Sequence, residues 1–178
     1  MRALSHDLKN VLPLAIQINR GKLSQEEVVE YARILGADRT VILHRWKGGP
    51  GRIELNILGS TEELSFPIIY LASTKHQKEL QGRILVKDSL ALVRPETECK
   101  ELKQLSEVLS KFLNAPLIKK EKAKELSKVG MVFDKVDSRM IVTFKSLSDN
   151  TEIGPRLVIK YLLWSNKMSR LVNGRSLS

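Results

Sequence analysis

The stretch "RTVILHRWKGGPGRIELNIL", residues 39–58, decides the fold because it predicts two strands joined by a turn. Residues 39–46 form a largely apolar run of strand length, which is typical of a buried strand. Residues 47–51, "KGGPG", concentrate glycine and proline and predict a turn. Residues 52–58 alternate in polarity and return as the second strand. The stretch therefore predicts a β-hairpin.

Two helices precede this hairpin in the predicted structure. The first covers residues 3–12, where apolar side chains fall on one helical face, and it ends at Pro13. A short apolar run of strand length follows at residues 14–18. Ser24 and Glu27 then have the spacing of a capping box, which predicts the start of the second helix.

The rest of the sequence repeats this order of elements. Residues 63–72 predict a third strand, in which Pro67 indicates an edge, a bulge or the first residue of the strand. The second helix of the first half is predicted to end at Gly36, and the matching helix of the second half is predicted to end at Gly130. The later elements are a strand at 83–93, a long amphipathic helix at 96–113, the apolar run "NAPLIK" at 114–119, a charged helix at 120–129, a hairpin with strands at 131–136 and 139–147 around a turn at Asp137-Ser138, and a last strand at 153–163.

Each half thus reads as a helix, a short strand, a second helix and three antiparallel strands. This pattern predicts an α+β (mixed α/β) fold made of two similar halves, each a small sheet with helices packed on it. The predicted first half is residues 1–75 and the second is residues 76–164. Residues 165–178 are small and polar, and we expect a mobile basic tail there.

The charge of the chain favours a polyanionic partner. Among 178 residues, 30 Lys and Arg stand against 20 Asp and Glu, which gives a net charge of +10. That sign favours nucleic acid or an anionic membrane, with a generically basic surface as the alternative. Hydrophobic residues make up 42% of the chain, enough for a core, and no stretch approaches the roughly 18 apolar residues of a membrane span. We therefore expect nucleic acid and no membrane.

Cys99 is the only cysteine of the chain, which excludes an intrachain disulfide and a cysteine-based zinc site. A lone cysteine fits a reducing, intracellular compartment. Residues 1–16 lack the continuous apolar run of a signal peptide, because polar side chains interrupt it. We therefore expect a soluble, cytoplasmic protein.

Arg20-Gly21-Lys22 places Gly-Lys directly before a helix, as nucleotide-binding loops do, but the surrounding residues depart from that motif. Position 16 is Ile where the motif needs Gly, and position 23 is Leu where it needs Ser or Thr. The glycines of residues 47–51 join two strands and match no dinucleotide fingerprint. We expect no cofactor and no small-molecule substrate.

The titratable side chains form no pattern that is typical of catalysis. His6, His44 and His76 are not spaced as metal ligands are. The carboxylates lie among lysines on helix faces, where ion pairs are usually solvated. We expect no catalytic residue and no metal, and the alternative is an RNA-processing enzyme that uses His6, Asp7 or His44.

The basic residues are more informative, because they gather on loops and strand ends. Arg20 and Lys22 precede a helix N-terminus, whose free N–H groups attract anions. Arginine binds phosphate bidentately, and lysine supplies a point charge. The alternative for each residue taken singly is an ordinary basic surface. We predict that the RNA-binding residues are Arg20, Gly21, Lys22, Arg45, Lys47, Arg52, Arg156 and Lys160.

Several stretches together resemble the Brix-domain family in its short archaeal form. They are "LSHDLKNVLP" (4–13), "INRGKLSQEEVVEYARILGADRTVILHRWKGGPGRIEL" (18–55) and "EIGPRLVIKYL" (152–162). Members typically carry R-G-K before a helix, G-A-D before a strand, a hairpin turn with glycine and proline, and G-P-R in the last strand. The residues that match, in the same order, are 20–22, 36–38, 49–51 and 154–156.

This resemblance implies a ribosome-biogenesis factor that binds ribosomal RNA precursors and holds them for processing or for protein loading. It implies two similar α/β halves, each like the anticodon-binding domain of class II aminoacyl-tRNA synthetases, and neither a catalytic activity nor a cofactor. The alternative is a protein-interaction scaffold within a ribosome-assembly complex. In that alternative, the strand "FPIIYL" (66–71) or the helix at 96–113 docks an assembly protein.

The sequence departs from the family pattern at its start. Family members usually begin with a strand containing T-S-R before the first helix, whereas this chain opens at Met1-Arg2-Ala3, inside or just before that helix. Either the strand is absent or the start lies further upstream. If it is absent, the sheet of the first half has an unpaired position.

Overall fold

A computed structural model describes residues 2–59, 66–80 and 89–164 of the chain. In these ranges the helices are α1 (Arg2–Val11), α2 (Gln25–Ile34), α3 (Lys100–Leu113) and α4 (Lys120–Leu126), with one short 3-10 turn at Gln77–Glu79. The strands are β1 (Arg39–Trp46), β2 (Gly49–Ile57), β3 (Pro67–Lys75), β4 (Leu90–Val93), β5 (Leu117–Ile118), β6 (Val129–Val136), β7 (Arg139–Ser146) and β8 (Arg156–Trp164). None of the helices in the described residues is long and apolar enough to cross a membrane.

The eight described strands form one sheet in the order β1-β2-β3-β8-β7-β6-β4-β5. All neighbours run antiparallel except β4, which is parallel to both β6 and β5. The predicted α+β class is therefore confirmed. The pairing of β3 with β8 joins the strands into a single sheet, so the two-half division at residues 1–75 and 76–164 stays a prediction. The predicted tail at 165–178 lies outside the described residues.

One face of the sheet packs against α1 and α3, and this contact forms the main core. Helix α3 contributes Leu102, Leu105, Leu109 and Phe112, whose spacing places them on one helical face. Helix α1 adds Leu4, Leu8 and Val11. Fully burying one such side chain contributes about 1.5–3 kcal/mol. The apolar face of α3 is thus occupied inside the molecule, and it is not free to dock an assembly protein.

Helix α4 lies on the opposite face of the sheet, at β4. The alternation along β4 shows this directly, because Leu90 and Leu92 join the main core. Ala91 and Val93 instead cluster with Ala123 of α4. Helix α2 is the helix that lies against β1, at the other end of the sheet. Helices α4 and α2 therefore lie at the two ends of the sheet.

The capping box predicted for α2 is confirmed. The backbone N–H of Glu27 donates to Ser24 Oγ at 3.1 Å, and the Ser24 N–H donates to Glu27 Oε2 at 2.6 Å. This backbone donor lowers the pKa of Glu27. Gly36 follows the helix with a φ of +73°, and Ala37 N–H donates to Ala32 O at 2.9 Å, so the predicted glycine stop is also confirmed.

Both hairpins turn through two residues with positive φ. Lys47 and Gly48 have φ values of 47° and 86°, and Asp137 and Ser138 have φ values of 47° and 64°. Such turns match the twist of the strands that they join. The predicted turn at 47–51 was therefore too long, since β2 already begins at Gly49. A Cβ at Gly51 would overlap Trp46 Cβ, so this glycine allows close packing inside the hairpin.

Several other predicted elements and boundaries were wrong. Residues 14–18 form no strand. The fourth helix ends at Leu126, and the extended Ser127 that follows has its Oγ within hydrogen-bond distance of Val129 O at 2.8 Å and of Ser89 O at 2.9 Å. Gly130 lies inside β6 and ends no helix, and a Cβ there would come within 2.6 Å of Leu147. The long helix starts at Lys100, after the turn in which Cys99 N–H donates to Thr97 Oγ1.

Strands β3 and β8 differ from their predictions in where they begin and end. Strand β3 covers Pro67–Lys75 and begins at Pro67, one of the three positions that were considered for this proline. It pairs with β2 at Ile69 and Tyr70 on one side and with β8 on the other, so the sheet covers much of the strand that the scaffold alternative assigned to docking. Strand β8 begins at Arg156, and the residues predicted as strand at 83–88 lie outside the described part.

Candidate nucleic-acid interface

Four side chains form a row across the sheet, on the face opposite the main core. Register pairs His44 with Arg52, Arg52 with Tyr70, and Tyr70 with Tyr161. Residues directly opposite in neighbouring strands present their side chains on the same face. We call these four residues the cross-strand row. Their neighbours along the strands, such as Ile53 and Ile69, point into the main core, which fixes the row on the other face.

The two tyrosines of the row stack on each other. Their ring centroids lie 4.4 Å apart, and the ring planes are inclined by 22°. Tyr161 remains 44% exposed, and Tyr70 is half-buried. Tyr161 follows a bulge, because Ile159 pairs with Leu71 while Lys160 has no partner in the register. The bulge leaves Lys160 and Tyr161 exposed side by side, which places a cation next to an aromatic ring.

Glu54 orients the basic end of the row. Arg52 Nη2 lies 2.9 Å from Glu54 Oε1, and His44 Nε2 lies 3.2 Å from Glu54 Oε2. The side chain of Arg52 remains 39% exposed, so the ion pair fixes its direction without burying it. An ion pair this exposed contributes little to stability. Its main effect is to hold one guanidinium beside the tyrosine stack.

Arg45 and Lys47 lie at the tip of the hairpin formed by β1 and β2. Both side chains are exposed, and Trp46 between them is 70% exposed. The positive φ of Lys47 fixes the turn, so the three residues protrude from a defined backbone. Arg52 is four residues beyond the turn on β2, opposite His44. The structure therefore brings Arg45, Lys47 and Arg52 onto one hairpin.

Arg156 is held at the far end of β8. Its Nη2 and Nε donate to Glu152 Oε1 and Oε2 at 2.7 and 3.2 Å, and it pairs across the strands with Lys75. Five positions separate it from Tyr161, which is about 16 Å along a strand. The G-P-R motif also has a structural reason, since a Cβ at Gly154 would come within 2.6 Å of Val11 in α1. Arg156 therefore belongs to the rim of the interface, not to its centre.

Arg20-Gly21-Lys22 forms a tight turn before α2. Leu23 N–H donates to Arg20 O at 3.0 Å, Arg20 Nε donates to Leu23 O at 2.8 Å, and Gly21 has a φ of +57°. The partial positive charge at the N-terminus of α2 is already compensated by the side chain of Ser24 and by acidic residues in the first turn. The helix N-terminus is therefore a poorer anion site than the sequence predicted, and Lys22 is the exposed charge of this motif.

The side chains of the enzymatic alternative are not brought together. Asp7 is buried and accepts hydrogen bonds from His76 Nδ1 at 3.0 Å and Gln77 N–H at 3.2 Å, which ties α1 to the 3-10 turn. His6 contacts Asn10 on the same helix at 3.3 Å. His44 lies on the opposite face of the sheet from α1. Within the described ranges, no three His, Cys, Asp or Glu side chains could share a metal ion.

Sequence reasoning missed the aromatic part of this interface. Tyr70, Tyr161 and Trp46 were read only as strand residues, because their alignment depends on the register between β3 and β8. Those strands are separated by about half the chain, and a bulge shifts their pairing. The available signal was adjacency in the sequence, since Trp46 lies between Arg45 and Lys47 and Tyr161 follows Lys160.

Comparisons with known proteins point to one group of relatives. No protein-family model matches the chain. A probable Brix domain-containing ribosomal biogenesis protein of Pyrococcus horikoshii is 28% identical over 94 residues, which are 52% of this chain and 42% of that protein. A protein of the same description from Pyrococcus furiosus is 29% identical over the same length and shares. The match thus spans less than half the length of these curated relatives.

Solved structures extend the likeness to nearly the whole fold. The crystal structure of a probable ribosomal biogenesis protein from Aeropyrum pernix superposes with a TM-score of 0.73 at 23% identity, covering 91% of both chains. The crystal structure of Mil, an archaeal Imp4-like protein, gives a TM-score of 0.61 at 16% identity, covering 92% of this chain and 91% of the other. At these identities the likeness establishes the fold alone. The resemblance of this chain to the Brix-domain family is confirmed in sequence by its curated relatives, and the two solved structures share its fold.

Proposed function

We propose that the chain is an RNA-binding factor in ribosome biogenesis, which binds ribosomal RNA precursors and does not catalyse a reaction. The observation that carries this proposal is the cross-strand row, in which a stacked tyrosine pair lies in register with a partly exposed arginine. The printed descriptions of the curated relatives supply the biological setting. The proposal places the protein in the cytoplasm, among the assembly proteins of the ribosome.

In this proposal the tyrosine stack receives unpaired bases. Proteins recognise single-stranded RNA mostly by stacking bases on aromatic side chains or arginine planes, because these surfaces tolerate any base. The exposed ring of Tyr161 offers such a surface, and Lys160 beside it can contact the adjoining phosphate. Arg52 lies at the other side of Tyr70 and serves the next phosphate.

The hairpin tip continues the same surface. Arg45 and Lys47 add two exposed cations, and Trp46 between them adds a second exposed aromatic side chain. Lys22, Lys75 and Arg156 are peripheral charges that strengthen the electrostatic attraction. The net charge of +10 supports long-range steering of a polyanion to this face. The proposal assigns these residues to binding and positioning, with no cofactor and no bond made or broken.

Alanine variants of the row test this function against matched controls. Tyr161→Ala and Arg52→Ala should each weaken binding to a single-stranded ribosomal RNA fragment, the former by about 1–3 kcal/mol from lost stacking. Tyr31 and Arg139 are the controls, because Tyr31 is 45% exposed on α2 and Arg139 is exposed in the other hairpin. Fluorescence anisotropy at fixed salt measures the four affinities. Equal losses in row and control variants would contradict the proposed site.

A further inference from the structure

Helices α2 and α4 are counterparts in the fold but carry opposite charge. Strands β1 and β6 both have eight residues and lead into a two-residue turn with positive φ, so the hairpin turns align β1 with β6. Helix α2 precedes β1, and α4 precedes β6. Helix α2 carries three glutamates and one arginine, whereas α4 carries three lysines and two glutamates. Of these two helices, α4 is therefore the one whose surface attracts a polyanion.

The lysines in and around α4 are exposed, and in the part of the chain that the structure describes none of them forms an ion pair. They are Lys119, Lys120, Lys122, Lys124 and Lys128. The helix buries Ala123 against the sheet, so its period places Lys120 and Lys124 together on one flank, while the two glutamates point away from the sheet. Two lysines four positions apart repel each other. A phosphate bound to this flank would relieve that repulsion.

Helix α4 lies on the same face of the sheet as the cross-strand row, at the level of Arg156. It packs on the residues of β4 that alternate with those in the main core, and Val132 of β6 joins the same cluster. The register leads from Val132 through Thr143 of β7 to the position of Arg156 on β8. Two strand spacings, about 10 Å, separate these two positions.

The connection through α4 fixes which flank of the helix faces Arg156. Strands β5 and β6 both run parallel to β4, and a crossover between parallel strands of one sheet is right-handed in nearly all proteins. With that hand, the flank that carries Lys120 and Lys124 faces β6 and the strands beyond it, and Lys122 faces the sheet edge at β5. Two unpaired cations of α4 therefore lie on the side of the cross-strand row.

We propose that one RNA strand runs from the cross-strand row along β8 to Arg156 and from there to α4. Tyr161 begins this RNA path, Arg156 and Lys75 lie in its middle, and Lys120 and Lys124 end it. The inference rests on the proposed function and extends it, because it adds a second set of phosphate contacts that the cross-strand row does not include.

The middle of the RNA path carries a net positive charge. Arg156 is paired with Glu152, and its side chain remains 38% exposed. Lys75, which is opposite Arg156 in the register, forms no ion pair among the described residues. The turn at Asp137-Ser138 is five residues from Val132, about 16 Å along a strand, so the path leaves that hairpin tip to one side.

The length of the RNA path defines the class of RNA that fits it. Tyr161 lies about 16 Å from Arg156 along β8, and α4 meets the sheet about 10 Å beyond. At one phosphate per about 3.4 Å of a stacked strand, the total of about 26 Å corresponds to about eight nucleotides. A base-paired helix keeps its bases from stacking on Tyr161. The substrate is therefore an unpaired RNA segment of at least that length.

Salt titrations with single-stranded RNAs of about 4 and about 12 nucleotides test the RNA path on the full chain. For the longer RNA, Lys120→Ala/Lys124→Ala should lower the slope of log affinity against log salt by about 1.4, which is about 0.7 for each phosphate contact. The shorter RNA should bind this variant as it binds the unaltered chain. Alanine is the better helix former and removes the repulsion between the lysines, so the variant should remain folded.

Lys100→Ala/Lys103→Ala is the matched control, because these two exposed lysines lie on α3, which packs on the other face of the sheet. The control should leave the slope unchanged for both RNAs. An unchanged slope in the α4 variant, or an equal decrease in the α3 variant, would overturn the RNA path. Two long RNAs bound by one chain would also overturn it, because they would show two separate sites.

Tyr161→Ala separates a failure of the RNA path from a failure of the proposed function. If Tyr161→Ala weakens the binding of both RNAs and the α4 variant has no effect, the path is wrong and the cross-strand row stands. If the unaltered chain binds neither RNA, the proposed function and the path are both wrong. Weaker binding of both RNAs by Tyr161→Ala, with loss in the α4 variant for the longer RNA alone, is the result that the path predicts.

Discussion

The two ends of the sheet follow the same plan but are packed to different degrees. At the β6 end, β4 covers the outer edge of β6, and Met131 of β6 and Val93 of β4 are almost inaccessible. At the β1 end, one edge of the strand is open to a groove, and the hairpin tip presents exposed basic and aromatic side chains. In the proposed function this difference separates two tasks, because the closed end stabilises the fold and the open end offers basic and aromatic side chains to RNA.

The largest expected effect is on the packing of the closed end. Leu92→Ala removes a fully buried side chain from β4 and should lower the free energy of unfolding by about 2–5 kcal/mol. Val41→Ala at the open end should cost below about 1 kcal/mol, because the side chain already meets solvent. Chemical denaturation measures both. Equal losses of unfolding free energy in the two variants would contradict the difference in packing between the two ends.

A smaller effect is expected from the glycine of β6. Gly130→Ala forces a methyl group against Leu147 and should destabilise the protein by about 1–3 kcal/mol. The aligned residue of β1 is Thr40, which lines the groove, so Thr40→Ala should change stability by no more than about 0.5 kcal/mol. Thermal unfolding of the two variants compares the strands directly. A neutral Gly130 variant would show that β6 has room to relax.

The smallest stability effect is expected at the N-termini of helices α2 and α4. Ser24→Ala removes the side-chain cap of α2 and should cost about 1 kcal/mol. Helix α4 has Lys119 at its N-cap with no side-chain hydrogen bond, so Lys119→Ala is the matched control and should be nearly neutral. The lowered pKa of Glu27 adds a pH dependence. Its stabilisation is present above the unfolded pKa and is lost as the pH falls through the lowered folded value. Glu27→Gln should remove that dependence, which unfolding at a series of pH values would detect.

Sequence reasoning predicted the parts of the fold that depend on local patterns. The capping box at Ser24, the strand at residues 39–46 and the turn at Asp137-Ser138 are set by neighbours in the chain, and each is confirmed. Gly130 was wrongly predicted to end a helix. The glycine is needed there for close packing against Leu147, and that contact depends on the tertiary fold. Local patterns predicted strands in both parts of the chain, but they did not predict that β3 pairs with β8 and thereby joins those strands into one sheet.

The candidate interface was predictable only in its charges. Arg45, Lys47 and Arg52 could be assigned to a hairpin from the sequence, because the turn lies between them. The row through Tyr70 and Tyr161 depends on a register set by bulges between distant strands, and local patterns contain no information about it. For Arg20 the sequence showed the charge but not the structural role, which is a hydrogen bond to Leu23 O that stabilises a turn.

A salt titration of RNA binding tests the central claim most directly, that the open hairpin is the electrostatic anchor. Filter binding of a single-stranded ribosomal RNA fragment is measured for the unaltered chain, for Arg45→Ala/Lys47→Ala, and for Lys135→Ala/Arg139→Ala in the matched closed-end hairpin. If both residues of a pair contact phosphates, the slope of log affinity against log salt decreases by about 1.4, which is about 0.7 for each contact with single-stranded RNA. The account predicts that decrease for the open hairpin and an unchanged slope for the closed one. Equal slopes in all three proteins, or a decrease confined to the closed hairpin, would contradict it.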